Sequence, residues 1–532
     1  MTSPPTPDAS PQPLQTARVV VVGSGFGGLG VAVRLRRAGL TRPGDLLVLE
    51  RGEDVGGTWR DNTYPGCACD IPSHLYSFSF AQNADWSRRF SPQPEIQAYL
   101  RRVARETGVT GHVRFGTAVT GAAWDGTARR WRVSTTTGPV EAEVLVTAAG
   151  PLAEPSVPDV PGLAGFEGEV FHSARWRHDL DLTGRRVVVV GTGASAVQFV
   201  PEIAPVVDHL TLLQRTPPWV RSRKDRPIPA WRRRMYRALP FAQRVSRLGV
   251  YASREAFVGA MLGKEWMQKL GEADATKHLH AQVADPRLRA VLTPDYRLGC
   301  KRVLLSDDYY PALTRDNVEV VASALQAVTP DGVVTADGRH HEADTIIFGT
   351  GFHVSDMPIG DVVRGADGRL LSEVWQGSPS AYMGTTVPGF PNLFLVMGPN
   401  TGLGHNSIVY MIESQVDYVM AALRARGPQA GATIEPTAEA ARRFTAEVDR
   451  RMQRTVWVQG GCRSWYQDAT GRVSTLWPDP TFRFRQRARA FRPQDHRVTP
   501  APHPAGTSPG SGAATSGTTD AGTTTTTAGA AT

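Results

Sequence analysis

"ARVVVVGSGFGGLGVAVRLRRAGL", residues 17–40, is the stretch on which the fold turns. Four consecutive valines make a buried strand, Gly23, Gly25 and Gly28 make a tight turn, and the apolar spacing that follows is helical. Glycines let the backbone turn sharply and approach a pyrophosphate, while the helix N-terminus offers free N–H groups and the positive end of its dipole. Glu50 closes the next strand, "DLLVLE", where a carboxylate can accept from a ribose hydroxyl. A glycine triplet alone is a weak signal, but strand, helix and acid in their proper order make this a dinucleotide-binding unit.

The pattern returns at residues 185–216, "RRVVVVGTGASAVQFVPEIAPVVDHLTLLQRT". Gly191, Gly193 and Ala196 hold this turn, Ser195 stands inside it, and the following strand ends in Gln214, Arg215 and Thr216 instead of an acid. A carboxylate there would repel a 2′-phosphate, whereas a guanidinium binds it bidentately through charge-assisted hydrogen bonds worth ~1.5–3 kcal/mol. The first unit therefore suits FAD and the second NADPH. The expected fold is α/β, with two Rossmann-like dinucleotide-binding domains and a helical insert.

The rest of the chain sets the boundaries. At 532 residues, 41% hydrophobic and 20% charged, it has room for two or three domains. Residues 1–16 are Pro-rich, with neither a basic n-region nor an apolar h-region, and read as a disordered lead. Residues 17–150 and 353–494 are expected to form a split FAD domain, and 151–352 the NADP domain, with a helical insert at about 227–297 whose Leu, Phe, Val, Trp and Met recur at helical spacing. Residues 495–532 read as a disordered low-complexity tail.

Composition narrows the function classes. No run approaches about 18 apolar residues, so no integral membrane segment is expected. Four cysteines make no disulfide framework, and with no export signal they point to reduced thiols in the cytoplasm. Cys67 and Cys69 form a lone C-x-C that fits neither a zinc site nor a dithiol redox motif, so packing thiols and no metal are expected. The net charge of +9 peaks in "WRRRMYR", 231–237, with no nucleic-acid motif beside it. It reads as a solvated helix face, in a protein whose anionic partners are dinucleotides. Further on, "GPNTGLGHNSIVYMIESQVDYVMAAL" reads as a loop and then a helix starting near Asn406 or Ser407, whose dipole could stabilise charge on the pyrimidine edge of a reduced flavin. His405 beside it is given no acid–base role.

Two further motifs carry a family resemblance. "GGTWRDNTYPGCACD", 56–70, fits [A/G]-G-x-W-x4-[F/Y]-P-[G/M]-x3-D, and "FEGEVFHSARW", 166–176, fits F-x-G-x3-H-x3-W. From about Val19 to Arg485 the chain resembles the type I Baeyer–Villiger monooxygenases. Trp176 stands where the related N- and S-oxygenating flavin monooxygenases usually have Tyr or Phe. Arg177 departs from the Pro or Asp usual after that tryptophan. The resemblance implies that Gly57, Thr58, Trp59 and Asp70 line the flavin, and that His172 and Trp176 lie on the connection between domains with a conformational role. In "LGCKRVLLSDDYY", 298–310, Arg302 would stabilise a peroxyflavin and the tetrahedral adduct, Asp70 would orient that guanidinium, and Lys301 would join in holding the NADP 2′-phosphate. Trp465 in "GCRSWYQD" resembles a tryptophan placed against the nicotinamide, although the residues alone equally allow a core anchor. Asn406 is grouped with the cofactor contacts. "VLVTAAG" and "TIIFGTGF" match the family's domain crossings. The implied reaction inserts one atom of O2 beside a ketone carbonyl to give an ester or lactone. Its alternative is N- or S-oxygenation, with a sulfide as substrate. The oligomeric state stays open between monomer and homodimer.

Overall fold

In the computed structural model, residues 15–502 are described; the rest of the expected lead and tail lies outside them. Both expected disordered segments nevertheless reach too far inward. Gln15 and Thr16 belong to the first strand, Gln15–Val22, and pair with Val140 and Glu141. His496–Thr499 forms a strand antiparallel to Thr433–Pro436. Asp495 is buried, accepting from the Tyr382 hydroxyl at 2.7 Å and from Arg443 Nη2 at 2.6 Å. The correction has a simple cause: the Thr/Ala/Gly/Ser/Pro composition begins only at Pro500, and the residues before it find backbone and side-chain partners.

Two mainly parallel sheets carry the molecule. In the first, Gln15–Val22 lies between Leu46–Leu49 and Val140–Thr147, all parallel, so that Val22 faces both Leu49 and Thr147. Val363–Arg364 and Leu393–Leu395, far along the chain, join the same sheet. In the second, five parallel strands run in the order Val318–Val321, His209–Leu213, Arg186–Val190, Thr345–Phe348, Glu169–His172. Val19–Val21 and Val187–Val190 are buried, as expected for sheets covered on both faces, which is why they read as unbroken apolar stretches. Each central strand leads into a glycine turn and then a helix, Phe26–Arg37 or Ala194–Ile203, so that a helix N-terminus follows the carboxyl end of each strand.

Five helices fill residues 230–292: Ala230–Ala238, Pro240–Glu255, Val258–Met261, Glu265–Gln282 and Pro286–Leu292. The basic run lies on the first of these, where only Tyr236 is buried. Met261 and Leu298 share a core with Val456, Trp457 and Tyr466, which seats the insert on the late part of the chain. Among the described residues no helix is long and apolar enough to cross a membrane.

One cysteine expectation is overturned. Cys300 and Cys462 are joined in a disulfide across 162 residues of sequence, a separation at which spacing carries no signal. Cys67 and Cys69 are free and buried, as packing thiols should be.

Candidate active site

The first loop is closed to side chains. A Cβ at Gly23, whose φ is +94°, would lie 2.6 Å from the Ala148 carbonyl oxygen, and one at Gly28 would lie 1.8 Å from that of Gly23. Gly25 caps the loop helix, and across from it Gly57 (φ +54°) caps the short helix Thr58–Asp61. A Cβ on Gly57 would come 3.1 Å from Gly25 Cα, so the two motifs present facing backbones with no side chain between them. Trp59 is buried, its Nε1 donating to the Tyr76 hydroxyl at 3.0 Å.

Glu50 sits at the end of the next strand, nearly inaccessible, accepting four hydrogen bonds. They come from Ser24 N (2.9 Å), Ser24 Oγ (2.6 Å), Gly52 N (2.9 Å) and Arg60 Nη1 (2.6 Å). Burial works against its charge, but Ser24, Gly52 and Arg60 outweigh it and hold the carboxyl below its usual range. Sequence reasoning missed Ser24 and Arg60. Both lie inside quoted motifs, but as the variable positions.

The second loop repeats the closure. A Cβ at Gly191 would lie 2.7 Å from the Gly349 carbonyl oxygen, so "TIIFGTGF" shuts this loop as "VLVTAAG" shuts the first. Gly193 caps the helix, Ser195 lies in its first turn, and Ala196 is buried. Gln214 is buried and donates to the Val291 carbonyl at 2.9 Å, while Arg215 is exposed and the Thr216 carbonyl accepts from Thr192 Oγ1 at 3.2 Å. Burial and then the positive charge of Arg215 lower the pKa of Lys301, so the two cations approach from different parts of the chain.

An ion pair joins the end of the 56–70 motif to the segment that follows the insert. Arg302 Nε donates to Asp70 Oδ2 at 2.8 Å, and Nη2 bonds the same oxygen. The Asp70 charge raises the Arg302 pKa against the cost of burial, so the guanidinium is a permanent cation. Tyr466 is fully buried beside it, its hydroxyl making no hydrogen bond; burial, eased by Arg302, pushes the phenol up to about 12. Trp465 lies with its ring centroid 4.3 Å from that of Tyr466 and is 46% exposed. Tyr466, then, is the aromatic anchor, and Trp465 stands free of the core.

The sequence pattern of the flavin-binding monooxygenase-like family matches residues 16–364. Over 491 residues, 92% of this chain and 94% of the relative, the sequence is 53% identical to a Baeyer–Villiger monooxygenase of Streptomyces coelicolor. Over 504 residues, 94% of each, it is 45% identical to a Baeyer–Villiger monooxygenase of Pseudomonas aeruginosa. The chain belongs to the Baeyer–Villiger monooxygenase family. Its fold is similar to that of closed cyclohexanone monooxygenase, with a TM-score of 0.81 at 29% identity, covering 92% of this chain and all of that one. It is likewise similar to OTEMO in complex with FAD and NADP, with a TM-score of 0.80 at 30% identity, covering 91% of this chain and all of that one.

In this flavoprotein monooxygenase the two nucleotide units are wired together. Gln198, on the second loop helix, donates to the Ala68 carbonyl at 2.9 Å and accepts from the Tyr64 hydroxyl (3.1 Å) and Ala68 N (3.2 Å). An aromatic line runs parallel to this: Trp176 packs on Phe199 at 5.3 Å, and Phe199 on Tyr64 at 6.1 Å. Trp176 thus reaches the flavin-side motif through the second helix. His172 ends the edge strand opposite Phe348, its Nδ1 accepting from Ala174 N at 3.1 Å and its ring 5.7 Å from Phe352. Burial lowers its pKa to about 4, so the ring is neutral, and the domain crossing beside it fits a structural role better than a proton-transfer one. The departure at Arg177 is accommodated on the surface, where its guanidinium bridges Asp179 (2.8 Å) and Glu169 (3.1 Å).

The late helix Ile408–Arg426 is capped at Ser407, within the expected start. Asn406 gives its side chain to protein: Nδ2 donates to Glu255 Oε2 at 2.5 Å, and Oδ1 accepts from Ser407 N at 2.7 Å. Glu255 also accepts from Thr481 N (2.6 Å) and Thr481 Oγ1 (2.7 Å), and His405 Nε2 lies 3.6 Å away. One half-buried carboxylate at the end of Pro240–Glu255 therefore ties the insert to the loop that opens the late helix. No motif marks Glu255, and sequence reasoning missed it. Both ring nitrogens of His405 lack a hydrogen-bond partner, as does the Tyr466 hydroxyl. These buried polar atoms without a protein partner are groups that a bound ligand could satisfy.

Cys67 and Cys69 do not supply a redox dithiol to this site. Burial pushes the Cys67 thiol up to about 12 and that of Cys69 higher still, so neither offers a thiolate.

Proposed function

We propose that this monooxygenase uses FAD in the first unit and NADPH in the second to convert a ketone, O2, NADPH and a proton into an ester or lactone, NADP⁺ and water. The observation that carries the reading is the Arg302–Asp70 pair, a cation fixed by the carboxylate that closes the 56–70 motif. When bound, NADPH supplies hydride to the flavin, and the reduced flavin activates oxygen.

The chain's own part is positional and electrostatic. Arg302 holds positive charge where negative oxygen must be stabilised, an effect worth about 10²–10³ in rate for one well-aimed donor. Asp70 keeps that guanidinium oriented. Arg215 and Lys301 hold the 2′-phosphate, with Ser195 and Thr216 beside it, while Gly23, Gly25, Gly28 and Gly57 leave space for the flavin pyrophosphate and Glu50 takes the ribose. Thr58, Trp59 and the backbone at Asn406 border the flavin, and Trp465 covers the nicotinamide. His172 and Trp176 couple the movement of the two units, and the insert excludes water from the space above Arg302.

The test supplies purified yellow protein with NADPH, labelled O2 and matched panels of ketones and sulfides. Esters or lactones carrying one labelled oxygen are expected. Sulfoxide as the only product, or NADPH consumed only to H2O2 with every ketone, would overturn the assignment.

A further inference from the structure

The loop bearing the cations is covalently tied to the segment bearing the exposed tryptophan. Cys300 directly precedes Lys301 and Arg302, and Cys462 lies three residues before Trp465. Backbone contacts flank the bond: Arg297 N donates to the Gly460 carbonyl at 3.0 Å, and Cys300 N to that of Arg297 at 3.1 Å. The fit is close, since a Cβ on Gly460 would come 2.7 Å from Cys300 Cβ. Cys300 is fully buried and Cys462 half-buried, so an external thiolate has its approach at Cys462 Sγ.

Position gives the bond its consequence. Lys301 follows Cys300 directly and Arg302 comes next, so slack at Cys300 moves both cations at once. A displacement of about 1 Å at a catalytic group can cost about 10²-fold.

We propose that Cys300 and Cys462 form a reversible oxidative modification site that positions Lys301 and Arg302, so that closing the bond tightens nucleotide binding and raises the yield of oxygenated product per NADPH. The effect on yield rests on the function proposed above. In the closing step a hydroperoxide is the oxidant. With H2O2, the two thiols give up two electrons and two protons, the S–S bond forms, the O–O bond breaks, and two waters leave. In the opening step a dithiol is the reductant. Its thiolate attacks Cys462 Sγ, Cys300 leaves as thiolate and is protonated, and the second sulfur of the dithiol then displaces Cys462 as it closes into its own disulfide.

The experiment compares full-length FAD-loaded enzyme treated with H2O2 against enzyme treated with dithiothreitol, each freed of reagent. Alkylation under denaturing conditions and mass mapping should count two free thiols after peroxide, Cys67 and Cys69, and four after dithiothreitol. Calorimetry with NADP⁺ should show binding about tenfold weaker in the reduced form, with KM for NADPH rising by a similar factor, kcat nearly unchanged and the H2O2 share increased. Cys300→Ser/Cys462→Ser should behave as the reduced form and ignore dithiothreitol, and the two treatments of the parent chain decide the matter even if that variant fails to fold. Four thiols after peroxide, or equal NADP⁺ affinity in the two forms, would overturn the proposal. Thiol count and NADP⁺ binding require no ketone turnover, so they stand apart from the proposed reaction.

Discussion

The two nucleotide loops share a strand, a turn of small residues and a helix, yet differ at two points. At the third small position the first loop has Gly28, where a Cβ would meet the Gly23 carbonyl oxygen at 1.8 Å, and the second has Ala196, buried without such a conflict. At the end of the following strand the first has Glu50, held in place by four donors, and the second has Arg215, which adds to burial in lowering the pKa of Lys301. The turns are alike, and the strand ends differ in charge, a fixed carboxylate in one and an exposed guanidinium in the other. In the first unit protein donors fix the carboxylate, whereas in the second the guanidinium is exposed.

The comparison breaks most readily at its third small residue. Gly28→Ala must displace backbone and is expected to weaken FAD retention at least about 100-fold, giving colourless protein on purification. Ala196→Gly should leave KM for NADPH within about twofold and cost about 1 kcal/mol of helix stability. A Gly28→Ala protein that stays fully yellow would remove the distinction.

At the strand ends, Arg215→Ala and Lys301→Ala are each expected to raise KM for NADPH by about 10–100-fold while changing that for NADH little, since each deletes one charge-assisted contact of ~1.5–3 kcal/mol. Steady-state kinetics with both nucleotides checks this. A parallel loss with NADPH and NADH would mean that the cations do not read the phosphate.

Acid should separate the units more gently. His172 in the second unit and His74 near the first keep pKa values of about 4 against an ordinary 6.5, both lowered by burial. The unfolded chain therefore binds protons that the folded one refuses, so stability is fully present above pH 6.5 and falls as pH drops towards 4. Glu50 acts lower on the scale: its folded pKa lies below 4.5, so its contribution is present above that value and lost beneath it. Denaturant midpoints at pH 7, 5.5 and 4.5 should decline, and His172→Asn should flatten the upper part of that decline. An unchanged slope would argue that His172 is not held neutral.

What the sequence made legible was local. Both glycine loops, the acid or cation after them, the late helix capped at Ser407 and the helical insert are contiguous patterns, and each lies where its period places it. What escaped were partners brought together from far apart: Gln198 with Ala68, Glu255 with Asn406 and Thr481, and Cys300 with Cys462. None has a spacing signature, because the fold alone sets the distance. Trp465 and Tyr466 illustrate a finer limit, since adjacent aromatics on an irregular segment carry no period to tell which one is buried. The tail failed for another reason: a four-residue strand is too short to stand out beside the low-complexity run that follows it.

The most direct measurement compares Arg302→Ala with the parent holoenzyme, both saturated with NADPH, on one ketone and one sulfide, counting oxygenated product and H2O2 per NADPH oxidised. The expected result is ketone product reduced about 10²–10³-fold, H2O2 approaching one per NADPH, and a smaller loss with the sulfide. Ketone product at the parental yield would contradict the claim that this cation sustains the oxygenation.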